Sequence, residues 1–375
     1  MCREGTPRAV KLLFLIHSLA AGGAERVTAN LANHWADKGW QVGVATLATS
    51  EGDFYPLHPA VERFPLGIAK ISPNAPTALV HNLNSVRAIR KLLLRYRPEA
   101  AVAMMTTSNI LLALAGFGLA IRTVGSERIH PPMVPIGRVW HWLRRLTYGR
   151  LDHMVALTEQ SADWLRKNTS AQRVTVIPNP VLYPLATFKP TRDPASVTRS
   201  GRSTAISVGR LERQKGYDLL LVVFGRIAHR LPSWDLIIIG EGEDHEMLQQ
   251  QIRELGLEER VQLVGRVGNI GDWYDAADLY VMPSRFEGFP NTLAEAMAHG
   301  LAAISFDCDT GPRELISHEV DGLLVPAGNL DQLEDALYRL MGDDALRRQL
   351  AAEAIKARTK FSILEVARIW EETLF

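Results

Sequence analysis

Two glutamates, Glu287 and Glu295, stand eight residues apart across a loop–helix boundary. An apolar run over 279–282 ends at Pro283, the loop carries Glu287, Gly288 and Pro290, and Asn291 or Thr292 can cap a helix that Gly300 closes. A helix N-terminus offers free N–H groups and partial positive charge, which suits a phosphate. A carboxylate one turn in can accept hydrogen bonds from sugar hydroxyls. One segment can therefore hold the diphosphate and ribose of a nucleotide. Thr292-x-x-Glu295 also fits a capping box, in which Glu295 serves backbone donors alone, and Glu287 also reads as a solvated loop acid.

Cations and glycines stand at other strand ends. In Gly209-Arg-Leu-Glu-Arg-Gln-Lys-Gly216, Arg210 and Lys215 can reach one diphosphate, Arg as a fork and Lys as a point charge; they also read as two exposed cations. Gly240-Glu-Gly-Glu-Asp is acidic, a poor phosphate site, and reads as a turn. Gly22-Gly23 lies between a strand and a helix, where glycine permits close approach of a ligand or simply a tight turn. It is not G-x-G-x-x-G, and the next strand ends in Ala45-Thr46-Leu47 without a ribose-binding acid, which weighs against NAD. Glu127, Arg128 and His130 follow a strand end near Thr123-Val124, where open α/β sheets place ligands; each alone also reads as a surface residue.

The elements that must position these residues alternate. Strands are expected at 10–16, 41–47, 61–64, 100–105, 153–157 and 173–177, with helices after the first, to about residue 38, and at 82–97, 109–119 and from Thr158. Residues 183–202, with three prolines and no period, read as a linker. A second series follows: strands at 205–208, 235–239, 261–264, 279–282, 302–306 and 322–325, helices between them, and closing helices at 330–341, 344–360 and 363–374. Alternation on both sides of a linker predicts two doubly wound α/β domains.

The chain has 375 residues, 47% apolar and 22% charged, as in an ordinary two-domain globular enzyme, and a formal net charge of +1 gives no sign of nucleic acid. Cys2 and Cys308 have no metal spacing and make no disulfide framework, which fits a reducing cytoplasm. Arg3, Arg8 and Lys11 before an apolar run mimic a signal peptide, but His17 and Ser18 interrupt it. Residues 100–121 are long enough to span a bilayer, but Thr106-Thr107-Ser108-Asn109 in the middle favours strand, loop and helix. Two basic amphipathic helices stand out. One carries Arg87, Arg90, Lys91, Arg95 and Arg97; the other, 137–150, carries Arg138, Arg144, Arg145 and Arg150 with Val139, Trp140, Trp142, Leu143, Leu146 and Tyr148. Such helices suit an anionic membrane surface or a pyrophosphate-bearing lipid, or are core helices with a solvated basic face.

Together these segments resemble family 4 glycosyltransferases. The resemblance rests on Gly22-Gly-Ala-Glu-Arg26, Ile177-Pro-Asn-Pro180, Val208-Gly-Arg-Leu-x3-Lys-Gly216, Val264-Gly-Arg266, Pro283-Ser-x-x-Glu-Gly-Phe-Pro-Asn-Thr-Leu-x-Glu-Ala-Met297 and Gly311-Pro-Arg-Glu-Leu-Ile316. It implies the GT-B fold: two Rossmann-like doubly wound domains facing a cleft, with C-terminal helices packing back toward the N-terminal domain. Residues 1–182 would bind the acceptor, 203–357 the nucleotide sugar, and 358–375 would cross back. The implied reaction is retaining and needs no metal or other cofactor. A hexose or N-acetylhexosamine moves from a UDP- or GDP-sugar to a glycan acceptor linked to a polyprenyl diphosphate, at the cytoplasmic face of an anionic membrane. A nucleotide-sugar epimerase or other nucleotide-dependent enzyme on a similar fold, such as an NAD-linked oxidoreductase, and a non-catalytic nucleotide-sugar-binding subunit are the alternatives.

By matching positions, Arg210 and Lys215 would hold the departing diphosphate, Glu295 the ribose and Glu287 the donor sugar. Gly288, Phe289, Pro290, Asn291, Thr292 and Leu293 would surround it with backbone, Gly22 and Gly23 would close over the phosphates, and Arg266 would lie near the base. Arg87, Arg90, Lys91, Arg95, Arg144 and Arg145 would face the acceptor or the membrane. Relatives acting on polyprenyl-diphosphate sugars often have histidine where this chain has Arg128, with His130 two residues on. Arginine does not exchange a proton at neutral pH, but it can steady a phosphate or a sugar hydroxyl.

Overall fold

The computed structural model describes residues 10–69, 75–133 and 136–375, without the side chains of 75, 76, 78 and 79. Cys2, Arg3 and Arg8 lie outside the described residues. Among the described residues, seven strands form one sheet: β1 (Lys11–Ile16), β2 (Gln41–Thr46), β3 (Glu62–Pro65), β4 (Ala100–Met104), β5 (Arg122–Ser126), β6 (His153–Ala156) and β7 (Val174–Val176), in the order β3-β2-β1-β4-β5-β6-β7. Six form another: β8 (Ser203–Val208), β9 (Trp234–Ile239), β10 (Val261–Gly265), β11 (Leu279–Met282), β12 (Ala303–Asp307) and β13 (Leu323–Pro326), in the order β10-β9-β8-β11-β12-β13. The pairings are parallel in both sheets. A parallel strand covered on both faces needs apolar side chains at successive positions, so β1 and β9 read as nearly unbroken runs. Strand order reverses between β1 and β4 and between β8 and β11, and ligands of such sheets bind beyond the C-terminal ends of those pairs.

The chain divides into two compact units, Met1–Asn179 with Val366–Phe375, and Pro180–Glu365. In the first, Trp35 stacks on Phe14 and Trp40, and its Nε1 donates to Glu371 Oε1 at 2.9 Å, fastening the helix Ile363–Leu374. The segment expected as a linker, 183–202, falls inside the second unit. Phe188 N donates to Gly268 O at 2.9 Å, and Arg199 and Arg202 both pair with Asp235 of β9. Individual side-chain pairs order this stretch, and they leave no period to read.

Helix boundaries differ from expectation in three places. The basic helix begins at Ala75 rather than 82 and ends at Tyr96. The helix expected at 109–119 is Thr106–Ala115: the polar run that interrupts 100–121 opens the helix instead of forming a loop. The helix expected over 344–360 breaks into Asp344–Ala354 and Ala357–Lys360. Among the described residues no helix is long and apolar enough to cross a membrane.

Candidate active site

The loops after β8 and β11 meet at the reversal point of the second sheet. Gly216 stands at φ +68°, and a Cβ there would lie 2.0 Å from the Pro283 carbonyl oxygen, so glycine is needed for the loops to close. Arg285 N donates to Gln214 O at 2.8 Å and Gln214 Nε2 to Phe286 O at 2.9 Å. The Arg285 guanidinium donates to Arg213 O at 2.7 Å and to both oxygens of Asp218 at 2.8 and 2.7 Å. Burial would raise the Asp218 carboxyl, but Arg285 outweighs it and holds it below its ordinary value.

This stitching places Lys215 Nζ 2.6 Å from Glu287 Oε1, which also accepts from Ser284 Oγ at 2.7 Å. The Thr310 hydroxyl donates to the Glu287 carbonyl. Glu287 is 6% exposed, and a buried ion pair needs such additional hydrogen bonds to offset desolvation. Both side-chain bonds fall on Oε1, which fixes the Glu287 carboxylate in place. Glu287 is therefore not a solvated loop acid. Arg210 is exposed and donates to Glu212 Oε1 at 2.7 Å. Gly240 and Gly242 do more than turn the chain. A Cβ on them would lie 1.8 Å from Gly209 O and 2.2 Å from Leu211 O, so the acidic turn seats the Arg210 loop.

The helix Asn291–Ala298 opens with Pro290 at its N-cap and no side-chain cap. The capping box does not form: Thr292 lies inside the helix, and its Oγ1 accepts from Tyr280 OH at 2.8 Å. Glu295, 4% exposed, accepts from Tyr274 OH at 3.4 Å. Burial pushes the Tyr280 phenol well above its ordinary value, so it stays a donor beneath the first turn. Gly311, at φ +99°, brings its loop against Gly288 O and Pro290, and Phe289 meets Phe361 edge-on at 6.0 Å. Leu293 is buried, Gly300 follows the helix at φ +81°, and Arg266 is exposed just past β10. Asp307 is held by both Nε and Nη2 of Arg313 at 2.9 Å. Tyr274, Tyr280 and Thr310 carried no recognised signal in the sequence, Ser284 stood in the motif without a role, and Gly240 and Gly242 read only as a turn.

In the first unit, Met105 follows β4 at φ 75° and ψ 155°, a conformation that costs a residue with a side chain about 1–3 kcal/mol. Its N–H donates to Ser126 O at 2.9 Å. Thr106 Oγ1 donates to Glu127 Oε2 at 2.9 Å, and Tyr148 OH donates to Glu127 Oε1. Burial pushes the Glu127 carboxyl up, against these hydrogen bonds and the charge of Arg144. Arg128 is 6% exposed; its guanidinium donates to Ser126 Oγ at 3.2 Å and to Asn179 Oδ1, and Nε has no partner among the described residues. Burial alone pulls Arg128 down to about 9. His130 Nδ1 lies 2.9 Å from Ser161 Oγ. Gly22 caps the helix Gly23–Asp37, and the Glu25 carboxylate folds back over it, 2.2 Å from where a Cβ would stand.

The basic helices divide differently from expectation. Arg144 is buried against Trp164, with its guanidinium carbon 4.5 Å from the ring centroid, and does not face solvent. Tyr148 is buried too, because both serve Glu127. Arg90 donates to the carbonyls of Ala115 and Phe117 at 2.8 Å, which leaves Arg87, Lys91 and Arg95 exposed on that helix. On the helix Arg138–Thr147, Val139, Trp142 and Leu146 are 68%, 59% and 50% exposed, between the exposed Arg138 and Arg145.

The motif-bearing halves match two family models: Glycosyltransferase Family 4 over residues 21–181 and Glycosyl transferases group 1 over residues 189–357. The chain is a glycosyltransferase of the GT-B fold. The glycosyltransferase is 25% identical to an uncharacterized glycosyltransferase of Haemophilus influenzae, over 96% of this chain and 98% of the relative. It is 26% identical, over 96% and 97%, to the GalNAc-α-(1→4)-GalNAc-α-(1→3)-diNAcBac-PP-undecaprenol α-1,4-N-acetyl-D-galactosaminyltransferase of Campylobacter jejuni. The structure of Anabaena Alr3699/HepE in complex with UDP has the same fold, with a TM-score of 0.78 and 21% identity over 97% of this glycosyltransferase and 99% of that chain.

Proposed function

We propose that this glycosyltransferase moves a hexose or N-acetylhexosamine from a UDP-sugar to a hydroxyl of a lipid-linked glycan, with retention and without a metal. The observation that carries this is Glu287, fixed through one oxygen by Lys215 and Ser284, beside a helix N-terminus with Glu295 one turn in. In this reading the bond from the anomeric carbon to the diphosphate oxygen breaks, a bond to the acceptor oxygen forms on the same face, and the acceptor hydroxyl's proton passes to the departing diphosphate oxygen. Lys215 and Arg210 stabilise the diphosphate as its charge grows. Glu287 Oε2 accepts a donor-sugar hydroxyl, Glu295 accepts from the ribose, and the backbone of 288–293 and Arg266 complete the donor side. Gly22 and Gly23 belong to the phosphate side, while Arg128 and His130 belong to the acceptor side. UDP is favoured over GDP by the UDP complex of the Anabaena protein, and the lipid-linked acceptor by the undecaprenol named in the Campylobacter relative.

Thermal-shift titration with UDP, GDP, ADP and NAD tests the donor side. UDP at about 100 times its Kd should add about 2.7 kcal/mol, or roughly 5–10 °C for a unit of this size, and Glu295→Ala should abolish the shift. A shift with NAD and none with the three diphosphates would overturn the reading.

The same proposal places the helix Arg138–Thr147 on an anionic membrane surface, because Val139, Trp142 and Leu146 face outward between two exposed arginines. Trp142→Glu combined with Arg145→Glu should abolish flotation with phosphatidylglycerol vesicles while leaving the melting temperature within about 2 °C, as expected of surface changes. Unchanged flotation would remove the membrane part.

A further inference from the structure

Three features that each cost stability gather at the C-terminal edge of the first sheet: Met105 at positive φ, the buried Glu127 and the buried Arg128. Arg128 is the least compensated. Its bonds go to neutral oxygens of Ser126 and Asn179, and Nε has no partner among the described residues. Glu127 does not neutralise it; its oxygens accept from Tyr148 and Thr106, and the cation that acts on it is Arg144. Buried cations are ordinarily paired, and one left unpaired burdens the fold. Asn179, which holds Arg128, lies in Ile177-Pro-Asn-Pro180 after β7, a motif with no part in the donor side. The site stands beyond the ends of β5 and β7, on the edge where parallel sheets take ligands.

We propose that Arg128, held by Ser126 and Asn179, is a receptor for a phosphoryl anion of the substrates, whose charge completes a pairing that the folded chain leaves open. This deepens the acceptor-side reading above and rests on it. An arginine gives a fixed charge and a planar fork for phosphate oxygens, where a histidine would exchange a proton. The same chemistry has two sources: the diphosphate of the lipid-linked acceptor and that of the nucleotide donor.

The test uses the full chain and inorganic pyrophosphate, followed by calorimetry with and without saturating UDP. Arg128→Met should bind pyrophosphate at least about tenfold more weakly yet melt no lower than the parent, because methionine removes a charge that has no ionic partner to lose. Arg128→Lys keeps the charge without the fork and should fall between. Arg128-dependent binding that survives saturating UDP identifies the acceptor diphosphate. Binding that UDP abolishes, with UDP itself weakened in Arg128→Met, identifies the donor. Equal pyrophosphate affinity in the parent and both variants overturns the proposal, as does Arg128→Met melting far lower at unchanged affinity. Should Arg128→Met fail to fold, unchanged affinity in Arg128→Lys is decisive against it. None of these readouts requires sugar transfer, so failure to turn over UDP-sugars would count against the proposed reaction and leave the anion site standing.

Discussion

Lys215→Ala should lower turnover about 10²–10³-fold, the usual loss when one stabiliser of a developing anion is removed. The same change should also destabilise the second unit by about 3 kcal/mol, because it strands a carboxylate that is 6% exposed. Glu287 would keep only the Ser284 hydroxyl on its side chain. The two effects separate in the double variant Lys215→Ala with Glu287→Gln. A neutral amide no longer needs a cation, so most of the melting temperature should return while turnover stays low. Calorimetric melting beside kcat and KM for the donor reads both. Glu287→Gln alone is the reference, because Glu287 itself is assigned to the donor sugar: equal turnover in Glu287→Gln and in the double variant would show that Lys215 only braces the fold.

Asp235→Ala should be the most destabilising single change in the second unit away from its donor loops. Asp235 is 8% exposed in β9 and accepts from Arg199 at 2.9 and 2.6 Å, from Arg202 at 2.8 Å on both oxygens, and from Arg260 at 3.2 Å. Removing it leaves the half-buried Arg202 and Arg260 and the exposed Arg199 clustered without their acid. A loss of about 3–5 kcal/mol is expected, or roughly 10 °C. The acid limb carries the same signature. Burial alone would raise Asp235, but the hydrogen bonds from Arg199 and Arg202 outweigh it and hold the carboxyl below its ordinary value. A carboxyl depressed in the folded state contributes stability above its unfolded value, near about 3.9. That contribution is lost as pH falls through the folded value. The parent should therefore lose stability steeply below about pH 4, and Asp235→Ala should have a shallower acid limb. Parallel acid limbs in urea unfolding would show that the arginine cluster does not depend on this acid.

Much of this was legible in sequence because parallel sheets write themselves as apolar runs. β1, β9 and β11 have almost no polar residue to hide them, and the loops after β8 and β11 carry Lys215, Gly216 and Glu287 at a recognisable spacing. What escaped reading was decided by partners distant in the chain. Thr292 and Glu295 spell a capping box, but Tyr280 and Tyr274 claim them from a neighbouring strand and helix. Arg144 looks like one more cation on a basic helix until Glu127 and Trp164 draw it inward. Residues 183–202 look unstructured because their order comes from Arg199 and Arg202 reaching Asp235, 36 and 33 positions away. Periodicity carries no trace of such bonds.

The bond from Trp35 to Glu371 closes a loop of 336 residues. During synthesis the ribosome makes Phe14, Trp35 and Trp40 early, and their last partner arrives only after the whole second unit has been translated. The first unit thus begins before the second and is completed after it, with an aromatic face waiting for a helix made once the second unit is finished. A nonsense codon shortly before Glu371 would therefore injure the half of the protein that was translated first.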